Sequence, residues 1–208
     1  MQGLVETLSP WCATDQPSDS QGIQTLDLGC GEGTFGHLLF GEHPESFCGV
    51  DLSRRAIRLA VQRWPQATWV QANADRRLPA MDGSTHRILS LFGRRPIDEI
   101  KRTLAPDGIC IVAVPAADDL VELREHVQTE GTQRNRWQPI AEQFTAGGLT
   151  LVQQGTWSHR VDLDRYAIAD ALAMTYRAVR RSQRERLESL ENASVTLAAD
   201  LMLFRHAR

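Results

Sequence analysis

The chain is 208 residues long, enough for one domain with a substantial core and at most a small appendage. Hydrophobic residues make up 42% and charged residues 24%, ordinary shares for a globular protein, and no apolar run approaches the roughly 20 residues that cross a bilayer. The net charge of -3 and pI near 6.1 exclude a global attraction to nucleic acid and leave a local basic face as its only source.

The opening Met1-Gln-Gly-Leu-Val-Glu has no basic segment followed by an apolar one, so the reading is a cytoplasmic protein with no secretory signal and no membrane partner. Cys12, Cys30, Cys48 and Cys110 are far apart and form no close pairs, which reads as buried free thiols rather than a disulfide framework, and no metal is expected. Lys101 is the only lysine among 23 basic residues. Arginine suits bidentate phosphate contacts, and genome-wide base composition produces the same bias. No feature specifies an oligomeric state.

Residues 1–22 read as a polar, turn-rich lead-in with a short helix around Leu4 to Leu8, and residues 23–208 as one domain. Ile23 to Leu28 is a buried parallel strand, followed by a glycine turn and a helix from Thr34 to Leu39. Ser46 to Asp51 gives a second strand. Ser53 then caps a helix with Ile57, Ala60, Val61 and Trp64 on one face, and Pro65 ends it. Ala67 to Gln71 and Arg87 to Phe92 are further strands, the first running out into the loop Ala72 to Pro79. Ile97, Ile100 and Leu104 mark a helix, Pro106-Asp-Gly108 a turn, and Ile109 to Val114 a fifth strand. Asp118 is read as capping a helix with Leu120, Leu123 and Val127, and Thr129 to Asn135 as a polar loop. Pro139 to Phe144 is a helix, Leu149 to Thr156 a sixth strand, Leu163 to Val179 a long amphipathic helix, and Ser194 to Phe204 an antiparallel last strand. The β-α alternation predicts an α/β fold of Rossmann-like type: a mostly parallel seven-stranded sheet with helices on both faces and an antiparallel last strand.

The chemistry concentrates in Thr25-Leu-Asp-Leu-Gly-Cys-Gly-Glu-Gly33. Gly29, Gly31 and Gly33 let the backbone turn sharply and approach a ligand. Asp27 at the strand end can accept from an ammonium or from loop amides, and the next helix start offers N–H groups to a carboxylate. Those two features match the amino acid end of S-adenosylmethionine (SAM). Asp51, eighteen residues past Gly33 at the end of the next strand, is placed to take both ribose hydroxyls; capping the following helix is the competing reading. Asn73 with Ala74 sits where a side-chain amide meets an adenine edge, or is simply loop polarity, and Leu52 is placed to cover the adenine face. Cys30 reads as a small buried neighbour of the cofactor, not a thiolate. NAD is the rival cofactor, but these glycines run G-x-G-x-G instead of G-x-G-x-x-G, and no second domain follows. The six histidines, His37, His43, His86, His126, His159 and His206, are scattered. Arg177, Arg180, Arg181, Arg184 and Arg186 form a basic helical face that is either solvated or a nucleic-acid patch.

The glycine motif, Val50-Asp51, and Val70-Gln-Ala-Asn-Ala74 with Leu78-Pro79 resemble class I SAM-dependent methyltransferases, with S-adenosyl-L-homocysteine as product. Leu89-Ser-Leu-Phe-Gly-Arg-Arg95, Leu104-Ala-Pro-Asp-Gly108, Val114-Pro115, Asp119 to Arg124 and Met174-Thr175 resemble more narrowly the 23S ribosomal RNA (guanine-N1) methyltransferases. That resemblance covers residues 23 to 205. It implies Phe92 and Arg95 at the acceptor pocket, where many members read Phe-Ala-Pro-Arg, with Trp157, Met174 and Tyr176 as further pocket candidates; Tyr176 stands where the family has proline. Family members also carry an N-terminal four-ligand zinc ribbon, which has no counterpart in the residues before Asp27. Three outcomes stay open: methylation of a base nitrogen of RNA, methylation of a small molecule, or SAM binding without catalysis.

Overall fold

Short apolar strands followed by turns set the frame, as expected for a parallel sheet covered on both faces. In the computed structural model, residues 1–13, 23–123, 136–175 and 191–207 are described, without the side chains of 172–175. Helix α1 spans Gln2–Cys12 and strand β1 Thr25–Leu28; α2 is Thr34–Phe40, β2 Phe47–Asp51, α3 Arg54–Arg63 and β3 Thr68–Gln71. They are followed by β4 Thr85–Leu91, α4 Ile97–Thr103, β5 Leu104–Pro115, α5 Trp137–Ala146, β6 Leu149–Asp164, α6 Arg165–Thr175 and β7 Asn192–His206.

The seven strands lie in the order β3-β2-β1-β4-β5-β7-β6, the first five parallel and the last antiparallel. Register pairs Asp27 with Gly49 on one side and Leu89 on the other, and Asp51 with Gln71. The carboxyl ends of β1, β2, β3 and β4 therefore open onto one edge.

Contacts divide the chain into two units, Met1–Val114 with Trp137–Gly155 and Leu201–Arg208, and Pro115–Arg136 with Thr156–Asp200. In the first, Leu26, Leu28, Val50, Ile88, Val112, Ile140, Phe144, Met202 and Phe204 share one apolar core, with the Phe144 and Phe204 rings stacked at 4.2 Å. Each fully buried side chain of this kind contributes about 1.5–3 kcal/mol. A second cluster places Phe47 5.0 Å from Trp64 and 5.6 Å from Trp69. In the second unit Leu120, Leu123, Ile168, Ala171 and Val195 pack together, and Glu122 accepts from the Thr196 amide and hydroxyl at 2.8 and 2.7 Å.

Some boundaries differ from the sequence reading. The turn Pro106-Asp-Gly108 sits inside β5: Thr85 pairs with Leu104 but Arg87 with Ile109, so the residues between loop out as a bulge. Strand β6 runs on to Asp164, and Leu163 belongs to it rather than to the helix. Asp164 Oδ1 accepts from the amides of Tyr166 and Ala167 at 3.0 and 2.8 Å, which starts α6 at Arg165. Asp118 does not cap with its side chain; its carbonyl accepts from Val121, where a helix begins, and Leu120 precedes it at φ 52. Thr129 to Asn135, residues 176–179 and the five clustered arginines lie outside the described residues.

Candidate functional site

The loop between β1 and α2 is built from backbone. Gly29 and Cys30 donate to the Val50 carbonyl at 2.8 and 3.2 Å, Gly31 donates to Asp51 Oδ2 at 2.9 Å, and Gly33 to the Cys30 carbonyl at 3.0 Å. All three glycines have positive φ, 77, 55 and 73, which only glycine adopts without strain. Their surroundings differ. A Cβ on Gly29 would lie 3.1 Å from the Gly93 Cα, and one on Gly33 2.2 Å from the Trp69 ring, whereas one on Gly31 meets nothing within 4 Å. Two of the glycines thus answer to packing inside the protein, and Gly31 alone opens toward free space. Gly33 provides no side-chain cap for α2, so the first-turn amides of that helix are available to an external acceptor.

Two carboxylates frame the loop. Asp27 is only 3% exposed and accepts no hydrogen bond among the described residues, and burial together with the nearby Asp51 charge pushes its pKa up to about 7. A carboxyl in this setting is held partly neutral, and a cation at the site would favour its ionised form. Asp51 has the opposite environment: Oδ1 accepts from the Ser53 amide at 2.7 Å and Oδ2 from Gly31. It therefore ties the glycine loop to the β2 terminus while each oxygen keeps a further lone pair. The helix cap belongs to Ser53, whose hydroxyl accepts from Ala56 at 3.3 Å. Leu52 beside it is 67% exposed. Burial and the neighbouring carboxylates raise the Cys30 thiol well above its ordinary range, and burial with Asp27 pushes Cys48 up to about 11, so neither is a thiolate.

Past β3, Asn73 Oδ1 accepts from the Asp75 amide at 3.0 Å, closing an Asx turn that leaves the amide NH2 as donor, while the Ala74 side chain points into the core. Asp75 holds Arg94 in a two-bond pair, Nε to Oδ1 at 3.0 Å and Nη2 to Oδ2 at 2.5 Å. Sequence reasoning missed that pair and missed Gly93, although a glycine directly after a strand end is a signal of close backbone approach. A Cβ on Gly93 would sit 2.1 Å from the Leu28 carbonyl. Phe92, 45% exposed, takes φ 59, donates its amide to Ala113 at 2.9 Å and lies 6.2 Å from the Phe35 ring. Ser90 Oγ donates to the Arg94 carbonyl at 2.9 Å, and Arg95 Nη1 to that of Gly93 at 3.1 Å. The glycine loop, the Asn73 loop and the Phe92–Arg95 loop are consequently brought together at one edge.

The remaining pocket candidates lie in the second unit or outside the described residues. Trp157 lies on β6 in the second unit, half-buried, its ring 6.2 Å from that of His159. Met174 is in α6 with its side chain undescribed, and Tyr176 lies outside the described residues. Among the described residues, no three His, Cys, Asp or Glu side chains are arranged to hold a metal ion, and no helix is long and apolar enough to cross a membrane.

A buried carboxylate lacking a cation, uncapped helix amides, an open-sided glycine and a second acid with spare lone pairs suit a ligand with an ammonium, a carboxylate and a diol. Residues 25–108 match the family described as methyltransferase domain. The chain is 29% identical over 193 residues, 89% of its length and 68% of the relative's, to YxjB of Bacillus subtilis, provisionally named a 23S rRNA (guanine-N1)-methyltransferase. It is 30% identical to the 23S rRNA (guanine(748)-N1)-methyltransferase of Streptomyces fradiae over 60% of this chain, and spans only 44% of that protein. Trans-aconitate 2-methyltransferase of Yersinia pseudotuberculosis is 27% identical over 66% of this chain and 54% of its own length. Among solved structures, a provisionally named methyltransferase of Bacillus halodurans superposes with a TM-score of 0.69 at 14% identity, covering 98% and 99% of the two chains. A SAM-dependent methyltransferase of Thiobacillus denitrificans in complex with S-adenosyl-L-homocysteine has a TM-score of 0.58 at 15% identity, covering 97% and 90%. Residues 25–108 thus match a methyltransferase domain, the fold is one that SAM-dependent methyltransferases share, and 23S rRNA (guanine-N1)-methyltransferases are among the proteins the chain is similar to.

Proposed function

We propose that the protein methylates a ring nitrogen of an RNA base, holding SAM through Asp27, Gly29, Cys30, Gly31, Gly33, Asp51, Leu52, Asn73 and Ala74. The observation that carries the acceptor is the match over 89% of the chain to a relative named for guanine-N1 methylation of 23S rRNA. The buried Asp27 carboxyl suits the ammonium of the cofactor, the first-turn amides of α2 its carboxylate, Asp51 the ribose hydroxyls, and the Asn73 NH2 with exposed Leu52 the adenine. The sulfonium supplies a methyl group with its leaving group already in place, the N–CH3 bond forming as the C–S bond breaks, and the proton on the acceptor ring nitrogen is released to solvent water, so alignment of acceptor, methyl carbon and sulfur does most of the work. Phe92 and Arg95 border the acceptor side of the same edge, and the target base is extruded from its helix to reach them.

The test is transfer of labelled methyl from SAM into total RNA, compared with a small-molecule extract. Label in RNA, mapped to guanine, is expected. Label confined to the extract would overturn the RNA reading in favour of a small carboxylic acid acceptor, the alternative motivated by the trans-aconitate relative. Binding of SAM with transfer to neither would favour a module without catalysis.

A further inference from the structure

The segments that follow three strands at the carboxyl edge of the first unit each carry an Arg-Arg pair: Arg54-Arg55 at the start of α3 after β2, Arg76-Arg77 in the loop after β3 and Arg94-Arg95 in the loop after β4. All six residues are exposed. We propose that these pairs form a track for the phosphodiester backbone of RNA leading across the cofactor edge, an inference that rests on the RNA reading above.

Four observations support it. The chain as a whole carries a charge of -3, yet these segments hold six arginines against Asp51, Asp75 and Asp82, of which Asp51 accepts from the Ser53 and Gly31 amides, Asp75 pairs with Arg94 and Asp82 with Arg102. Arg54, Arg55 and Arg76 have no carboxylate partner within salt-bridge distance among the described residues, and Arg77 reaches only Asp82, at 3.8 Å between two largely exposed side chains. Arg54 and Arg55 open α3, whose first turn holds no acidic residue. Two cations at a helix N-terminus work against the macrodipole, each by about 0.3–1 kcal/mol, so helix stability does not account for them. Exposed Phe92 precedes the third pair, a ring beside a basic loop being the combination on which bases stack.

Arg94 is held by Asp75, the residue before Arg76, so the second and third pairs lie close together, while Arg54-Arg55 follow the neighbouring strand β2. A phosphodiester chain carries a charge at every nucleotide and can engage several such cations at once.

The experiment is fluorescence anisotropy with a labelled RNA hairpin carrying a single-stranded loop, titrated at salt from about 50 to about 200 mM. Each lost phosphate contact to a single strand lowers the slope of log K against log salt by about 0.7, so R54Q/R55Q and R76Q/R77Q should each flatten it by about 1.4 and weaken binding about 25-fold at about 0.1 M salt. Arg205→Gln is the control for net charge, since β7 ends there beside the amino end of β5, where His206 Nε2 lies 3.0 Å from the Leu104 carbonyl. It should leave the slope unchanged. Affinity for S-adenosyl-L-homocysteine, measured by calorimetry, should be equal in all variants and reports correct folding. If RNA is methylated and bound with the wild-type slope in both doubles, the track is wrong while the RNA reading stands. If wild type neither binds nor methylates RNA, the RNA reading falls and takes the track with it. Citrate binding that is lost in one double and kept in the other would replace the track with a small-anion site.

Discussion

If Asp27 takes the cofactor's ammonium, as proposed, it links cofactor affinity to pH in a way that fixes the expected profile. Its carboxyl is raised from an ordinary 3.8 to about 7 by burial and by the Asp51 charge. If the ionised form takes the ammonium of the ligand, affinity scales with the ionised fraction, about 0.9 at pH 8, 0.1 at pH 6 and 0.01 at pH 5. Kd for S-adenosyl-L-homocysteine should therefore rise about tenfold from pH 8 to 6 and about tenfold again to pH 5. Titration calorimetry in buffers of differing ionisation enthalpy should count close to one proton released per binding event at pH 6. The stability effect has the opposite sign. A carboxyl whose folded pKa is raised contributes stability fully present below 3.8 and lost as pH rises through about 7, up to about 4 kcal/mol in the free protein. Asp27→Asn should then raise the melting temperature of the free protein at pH 8 while costing affinity by about 1.5–3 kcal/mol and flattening the pH profile. A Kd that is level from pH 8 to 5.5 without proton release would refute the assignment.

Asp51→Ala should weaken S-adenosyl-L-homocysteine binding by about 1–3 kcal/mol, measured by calorimetry, and unchanged affinity would sink the ribose role. Gly33→Ala combines a φ of 73 with a Cβ 2.2 Å from Trp69 and should destabilise by about 2–4 kcal/mol in a denaturant titration. Gly31→Ala, with open space around it, should cost only about 1–2 kcal/mol of stability but markedly reduce cofactor affinity; an unaltered Kd would mean that nothing seats there. Glu99 accepts from Arg102 at 2.7 Å and from the Leu78 amide at 2.6 Å, and its pKa falls to about 2. A depressed carboxylate stabilises above about 4.5 and loses that contribution as pH falls toward 2, so Glu99→Gln should destabilise at pH 7 and show a shallower acid transition by circular dichroism.

The parallel half of the sheet was legible because its strands are short apolar runs closed by an acid or a glycine. Thr25–Leu28 and Phe47–Asp51 bury nearly every side chain, and burial is what hydrophobicity records. Strand β6 was cut short because it lies at the sheet edge. In the stretch that was missed, Trp157 to Asp164, the run Ser158-His159-Arg160 carries no apolar signal, and such a strand is held by backbone pairing that composition does not encode. The start of α6 was readable from Asp164 as an N-cap, but the apolar Leu163 beside it fitted helical spacing equally well. In the site, the glycines were legible by type but not by duty, since only the fold shows that Trp69 and Gly93 crowd two of them. Arg94 and Asp75, far apart in sequence, left no local signal at all.

The contact between Gly29 and Gly93 bears on how the cofactor and acceptor sides of the site communicate. The two Cα regions meet so closely that a Cβ on Gly93 would stand 2.1 Å from the Leu28 carbonyl and 3.5 Å from the Gly29 Cα. Backbone packed against backbone cannot yield as a side chain would, so the glycine loop and the Phe92–Arg95 loop keep a fixed relation. Phe92 is left at φ 59, a conformation costing about 1–2 kcal/mol in a residue with a Cβ. The surroundings that hold it there are the Ala113 carbonyl, the Ser90 hydroxyl on Arg94 and the Asp75–Arg94 pair, the last reaching across from the Asn73 loop. A ligand that orders Asn73 and Asp75 therefore also holds Arg94, which shares a loop with Phe92. Removing the pair with Asp75→Asn should loosen that relation, lowering acceptor turnover more than cofactor affinity; an equal loss in both would mean that the loops answer to the cofactor separately.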